Sequence, residues 1–167
     1  PNHINSARNA LLNYIQLTGN AKFVSGKMIF LQGSPKLEEV NGINIGRLSG
    51  IVAHFVPNYL QKNRMPSWET NCIEDWETKV DKIVEETQLE NMTLISGIPP
   101  WLIMYYEKLI ERSEKSTIQE IFPALQLMVT GGVNYNPYRK KVVELIGKNL
   151  DVIQTYPASE GFIAYQD

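Results

Sequence analysis

The sequence predicts an α/β protein: a mostly parallel sheet flanked by helices, with one small antiparallel hairpin. Three observations carry this reading. From residue 73 onward, amphipathic helical stretches alternate with short apolar runs, the rhythm of strand–helix–strand units joined by crossovers. Three apolar runs each end in turn-forming residues: Ser96-Gly97, Thr130-Gly131-Gly132-Val133, and Tyr156-Pro157-Ala158-Ser159-Glu160-Gly161. Upstream, Asn41-Gly42 separates two short β-type runs, the signal for a tight hairpin turn.

Each element has its own justification. Over residues 4–17, Ala7, Ala10, Leu11, Tyr14 and Ile15 recur at spacings of three and four, and Gly19-Asn20 ends that helix. Residues 27–31 read as a strand, and 37–40 with 43–45 as the hairpin, which Gly46, Ser49 and Gly50 break. A short helix is expected over 51–59, interrupted by Pro57, and a loop over 65–67. Ile73, Trp76, Val80, Ile83 and Val84 mark one face of the next helix. Residues 92–96 form a buried strand. Pro99-Pro100 then suits a first helical turn, where no proline N–H is needed, and that helix carries Leu102, Ile103, Tyr106, Leu109 and Ile110. Residues 125–129 form the next strand. Asn136-Pro137 opens a helix with Tyr138, Val142, Leu145 and Ile146 inside and Arg139, Lys140 and Lys141 on a solvent face, and Gly147 stops it. The last strand covers 152–156, with Pro157 expected to block its continuation.

Composition sets the outer bounds. The 167 residues are expected to form one α/β region, with a helix-plus-hairpin section over 1–65 and a βαβ section over 66–167. A net charge of −2 gives no basic surplus for nucleic acid, and no apolar run approaches a membrane span. Pro1-Asn2-His3 is not a natural start, which predicts an excised or processed piece. No signal peptide is visible and Cys72 is the lone cysteine, so the cytoplasm is expected, with Cys72 inert. His3 and His54 lack neighbours at metal-ligand spacing. Glu74-Asp75 and Glu85-Glu86 are expected to be solvated, and Trp68, Trp76 and Trp101 to pack.

Function is sought where open α/β sheets bind ligands, at the carboxyl ends of the strands. If the three strands are neighbours, their three terminal turns share one crevice. Gly131-Gly132 presents no side chain to a flat ligand. Tyr156 offers a ring to cover a base, Ser159 a hydroxyl for a phosphate oxygen and Glu160 a carboxylate for Mg²⁺. The plainer alternative stays open: a helix-entry turn with positive φ at the glycines, and a polar turn between two strands at residues 156–161.

These residues resemble the adenylate-forming superfamily of acyl ligases, and more closely the auxin-responsive acyl-acid amido synthetase family with its bacterial relatives. The resemblance runs from about residue 27 to the end. It rests on Leu48-Ser49-Gly50-Ile51, Ser96-Gly97-Ile98-Pro99-Pro100-Trp101, Phe122-Pro123-Ala124-Leu125 with Gly131-Gly132-Val133 and Pro137-Tyr138-Arg139, and Tyr156-Pro157-Ala158-Ser159-Glu160-Gly161. It implies part of the large N-terminal domain of a ligase that uses ATP and Mg²⁺ to activate a small-molecule carboxylic acid as an acyl-adenylate, then passes it to an amine such as an amino acid. It places Gly131, Gly132 and Val133 against the adenine, Tyr156 with Pro157 over it, Ser159 on the α-phosphate, and Glu160 on Mg²⁺. Ile98, Pro99 and Trp101 would border the acyl pocket.

The departures are specific. The family's Ser/Thr/Gly-rich phosphate loop has no equivalent, since Gly33-Ser34-Pro35-Lys36 is too short and belongs to the hairpin region. The family's downstream ribose-binding aspartate and its C-terminal domain with a lysine are not matched. The chain is therefore expected to be inactive alone. The other reading is a non-catalytic α/β module that binds a ligand or partner in the same crevice.

Overall fold

A computed structural model describes residues 2–54, 61–158 and 161–166. The helix α1 (Asn2–Thr18) leads through a single 3₁₀ turn (Lys22–Ser25) into β1 (Lys27–Phe30). The hairpin β2 (Glu38–Val40) and β3 (Ile43–Ile45) follows, then α2 (Leu48–Ala53). After β4 (Arg64–Met65) come α3 (Trp68–Asn71) and α4 (Trp76–Thr87), then β5 (Met92–Gly97), α5 (Pro99–Ser113), α6 (Ile118–Ile121) and β6 (Leu127–Gly131). The chain closes with α7 (Arg139–Ile146), β7 (Asp151–Ala158) and β8 (Gly161–Gln166).

Six strands form one sheet in the order β4-β1-β5-β6-β7-β8. All neighbours pair in parallel except β7 and β8, which are antiparallel. β2 and β3 make a separate two-stranded hairpin. Its turn has φ of 53° at Asn41 and 77° at Gly42, the positive pair that an Asn-Gly turn supplies at low steric cost. The fold class is thus the one the alternation predicts.

Strand alternation sorts the core into two layers. Met28, Leu94, Leu127 and Ile153 point to one face, where they meet Ala10 and Tyr14 of α1 and Phe23. Ile29, Ile95 and Met128 point to the other, against Val80, Ile83 and Val84 of α4, Leu102, Tyr105, Tyr106 and Leu109 of α5, and Val142 and Ile146 of α7. This second layer buries the most apolar surface. Two of its tyrosines find partners inside it: the Tyr105 hydroxyl lies 2.7 Å from Thr87 Oγ1, and Tyr106 donates to Met128 Sδ at 3.7 Å.

Helix ends follow local chemistry. Asp75 caps α4 by accepting from the Thr78 backbone N–H at 2.9 Å. Pro99 and Pro100 occupy the first turn of α5, and Gly147 ends α7 at φ 84°.

Several expectations are corrected. Arg64–Met65 is not loop but an edge strand beside β1. The hairpin ends at Ile45, before Gly46, as expected, but the helix expected over 51–59 begins earlier, at Leu48, and its residues 55–59 lie outside the described residues. The strand expected over 125–129 is shifted to Leu127–Gly131, and the helix expected from Asn136 begins at Arg139. Pro157 does not end β7. Pairing with β6 stops at Thr155, so no ladder N–H is needed from Pro157 on that side, and the register toward β8 shifts between Tyr156 and Pro157.

Glu86 is not simply solvated. Its carboxylate accepts from the Ser67 backbone N–H at 2.7 Å, from Ser67 Oγ at 2.6 Å and from Thr70 Oγ1. Ser67 is also the cap of α3, accepting from the Thr70 N–H at 3.2 Å, so Glu86 fastens α3 to α4. Glu85 instead faces solvent and bridges Lys82 and Arg112, a type of exposed pairing that contributes little. Glu86→Ala strands three donors and is expected to cost about 1.5–3 kcal/mol of unfolding free energy in urea titration, whereas Glu85→Ala should cost about 1 kcal/mol or less.

Candidate functional site

The strand ends that lead into the three predicted turns lie along one edge of the sheet. β5, β6 and β7 are adjacent and parallel, with Gly97 opposite Thr130 and Gly131 opposite Thr155. Hydroxyls stitch the ends together: Thr130 Oγ1 donates to the Gly97 carbonyl at 3.0 Å, and Thr155 Oγ1 donates to the Thr130 carbonyl at 3.2 Å. β7 runs three residues past that last pair, carrying Tyr156, Pro157 and Ala158 beyond the edge of β6.

The two glycines are explained first by the protein itself. A Cβ on Gly131 would stand 2.5 Å from the Thr155 carbonyl oxygen, so only glycine allows β6 and β7 to close at this point. Gly132 has φ +80°, and a Cβ there would lie 3.1 Å from Ile98 Cγ2. This is the helix-entry turn with positive φ. It also brings Ile98 against the glycine turn, so the β5 and β6 termini touch directly.

The side chains around that turn differ in availability. Val133 is 45% exposed and Tyr156 61% exposed, so both are free to meet a ligand. Pro99, the first residue of α5, is itself buried. Trp101 stacks on Trp76 with ring centroids 4.2 Å apart and planes 22° from parallel, so its ring is already engaged. Ser159 and Glu160 lie outside the described residues. The strands that flank them, β7 and β8, are antiparallel neighbours, the arrangement of the plainer reading. His3 Nε2 lies 2.9 Å from the carbonyl oxygen of Ala158, tying α1 to the end of β7.

A cavity of about 330 Å³ opens beside β7, lined by Tyr135, Asn136, Arg139, Asp151, Gln154 and Gln166 among others. None of the predicted site residues among the described residues lines it. Burial pushes the Tyr135 phenol above its ordinary range, and Arg139 opposes this. Among the described residues, no group of three or more His, Cys, Asp and Glu side chains could hold a metal, and no helix is long and apolar enough to cross a membrane. The Mg²⁺ role assigned to Glu160 belongs to a residue outside that set. No protein-family model matches this sequence, and no curated protein matches it.

Sequence reasoning passed over Lys79. It is 1% exposed, and its ammonium donates to the Gln32 carbonyl at 2.9 Å and the Asn71 carbonyl at 2.6 Å. The signal was present: Lys79 stands three residues after Trp76 and four before Ile83, on the inner face of α4. Burial drags its pKa down from 10.5 to about 8, against an opposing contribution from Cys72 and with a further lowering by Arg47.

The depressed value means that the unfolded chain binds more protons than the folded chain between pH 8 and the ordinary lysine range. Burial of the charge therefore destabilises the fold fully below about pH 8, and the cost is relieved as pH rises through that value. That fall, from 10.5 to about 8, is worth at most about 3–4 kcal/mol at 1.36 kcal/mol per pH unit. Urea unfolding of the wild type is expected to show stability rising between pH 7.5 and about 9.5 relative to Lys79→Met, in which that rise is absent.

Proposed function

We propose that this chain supplies the nucleotide-facing rim of an adenylate-forming acyl ligase of the auxin-responsive acyl-acid amido synthetase type. The observation that carries the reading is the side-by-side placement of the β5, β6 and β7 termini on one edge of a parallel sheet. An exposed tyrosine and a flat glycine turn at one such edge fit a purine.

In this reading ATP supplies the adenylyl group and the pyrophosphate leaving group, so that a carboxylic acid is activated and then transferred to an amine. The chain's own residues bind and orient. Tyr156 lays its ring over the base, with Pro157 fixing the backbone angle behind it. Gly131, Gly132 and Val133 form the opposite wall, through backbone and one small side chain. Ser159 would bond the α-phosphate, and Glu160 would hold Mg²⁺, which would supply charge stabilisation to the transfer. Ile98, which touches the Gly132 turn, is the residue we assign to the acid pocket. Pro99 and Trp101 follow it in the first turn of α5, Pro99 buried and Trp101 stacked on Trp76. Rate then comes from alignment and electrostatic stabilisation more than from covalent chemistry by the protein.

A second reading is favoured by the Gly131 contact: glycine is required there by Thr155 whether or not a ligand binds. On that account the chain is a non-catalytic α/β module with a ligand- or partner-binding rim. Pyrophosphate exchange, run with a panel of carboxylic acids on the protein that contains this chain, separates the two. The ligase reading predicts acid-dependent exchange, a loss of about 100-fold or more in Glu160→Ala, and a KM for ATP raised about tenfold in Tyr156→Ala. Exchange that is unchanged in both variants overturns the assigned roles. Absence of exchange with every acid favours the module.

A further inference from the structure

Lys79 is a buried cation without a counter-charge. Among the described residues, no carboxylate stands within ion-pair distance of Lys79 or of Arg47, the cation nearest to it in effect. Two of the three ammonium N–H groups are used on the carbonyls of Gln32 and Asn71, which leaves one. Arg47 is exposed, and its guanidinium lies over Gly33, next to Gln32: a Cβ on Gly33 would meet Nη1 at 2.7 Å.

The same residues carry unmet hydrogen bonds. Four buried side-chain polar atoms lack a partner among the described residues: Gln32 Nε2, Asn71 Oδ1, Trp76 Nε1 and Gln119 Oε1. Gln32 and Asn71 are the two residues whose carbonyls hold Lys79, and Trp76 lies one turn before it on α4. Asn71 is 3% exposed, and its Nδ2 is already spent on the Pro66 carbonyl at 3.3 Å. A buried polar atom left unpaired is unfavourable, and native folds leave few of them. Three of the four belong to the two residues whose carbonyls hold the Lys79 ammonium and to the residue one turn before it on α4, which points to a missing partner.

The chemistry of the set selects that partner. The unmet groups are three donors (an ammonium N–H, an amide N–H and an indole N–H) against a single acceptor, with a guanidinium at the exposed side. Excess donors and uncompensated positive charge suit an oxyanion. The position suits a ligand as well. Gln32 directly follows Leu31, whose N–H bonds the Ser96 carbonyl at 2.8 Å, so the cluster sits at the carboxyl end of β1, beside that of β5.

We propose that Lys79, Gln32, Trp76 and Arg47 form a second binding site on the carboxyl rim, for the carboxylate or phosphate group of a small anion. The site is separate from Gly131 and Tyr156, and stands whether or not the chain binds a nucleotide.

The test follows the Trp76 indole N–H resonance, assigned with Trp76→Phe, during titration of the intact chain with acetate or with inorganic phosphate. Ionic strength is held constant with chloride, which serves as the reference anion. The site predicts a saturable shift with at least one oxyanion, absent with chloride. Acetate alone acting identifies a carboxylate site, and phosphate alone a phosphate site. Arg47→Gln, at an exposed position that leaves the core intact, should weaken the apparent affinity about tenfold or more, and Lys79→Gln should abolish the shift. No saturable shift, an equal shift with chloride, or an unchanged shift in Arg47→Gln shows that the cluster holds only ordered water and overturns the proposal.

Discussion

Strand β6 lies between β5 and β7 with its last residues flush against both, and the geometry of the rim descends from that pairing. Gly97 is opposite Thr130 and Gly131 opposite Thr155, and each step is reinforced by a threonine hydroxyl on a neighbouring carbonyl. Because a parallel ladder sends all its carboxyl ends the same way, turns distant in the chain arrive side by side, Gly97 beside Thr130 and Gly131 beside Thr155. The closeness demands glycine at 131. It also leaves Tyr156 projecting past the edge of its neighbour, exposed on a strand that has run out of partners on one side.

Behind this rim the structure is held by two kinds of interaction. The apolar layers divide by strand alternation, α1 on one face and α4, α5 and α7 on the other. Polar clamps then tie α4 to its surroundings: the Glu86 carboxylate gathers Ser67 and Thr70 of the β4–α3 region, and the Lys79 ammonium gathers Asn71 of α3 and Gln32 just beyond β1. The two clamps differ in electrostatic character. Glu86 is half-buried and accepts from uncharged donors. Lys79 is wholly enclosed and carries a charge that nothing described neutralises, so its enclosure is costly and the surrounding donors remain partly idle.

Much of the fold was legible in the sequence because periodicity reports local structure directly. The strands β1, β5, β6 and β7, the helices α1, α4, α5 and α7, and the Asn41-Gly42 hairpin all follow from spacing and turn residues. What was not legible depends on partners distant in the chain. Arg64–Met65 is a strand only because β1 lies beside it. Pro157 remains in β7 because pairing with β6 has ended at Thr155 and the register toward β8 shifts just before it. Lys79 reads as a surface charge until the Gln32 and Asn71 carbonyls are brought to it, across 47 residues in the first case. At the site, the sequence foresaw that the termini of β5, β6 and β7 share an edge. It foresaw that Trp76 and Trp101 pack, though not that they stack on each other, and it did not foresee that Thr155 accounts for Gly131.

The central claim is the register that presses Gly131 against the Thr155 carbonyl, and Gly131→Ala tests it most directly. Alanine in a relaxed strand restricts the unfolded chain and tends to stabilise by about 0.4–1 kcal/mol. Here the added methyl meets a backbone atom that cannot rotate away, so urea unfolding of Gly131→Ala should show a loss of about 1–3 kcal/mol. Stability that is unchanged or raised would mean that the two strands do not meet there, and that the shared rim does not exist.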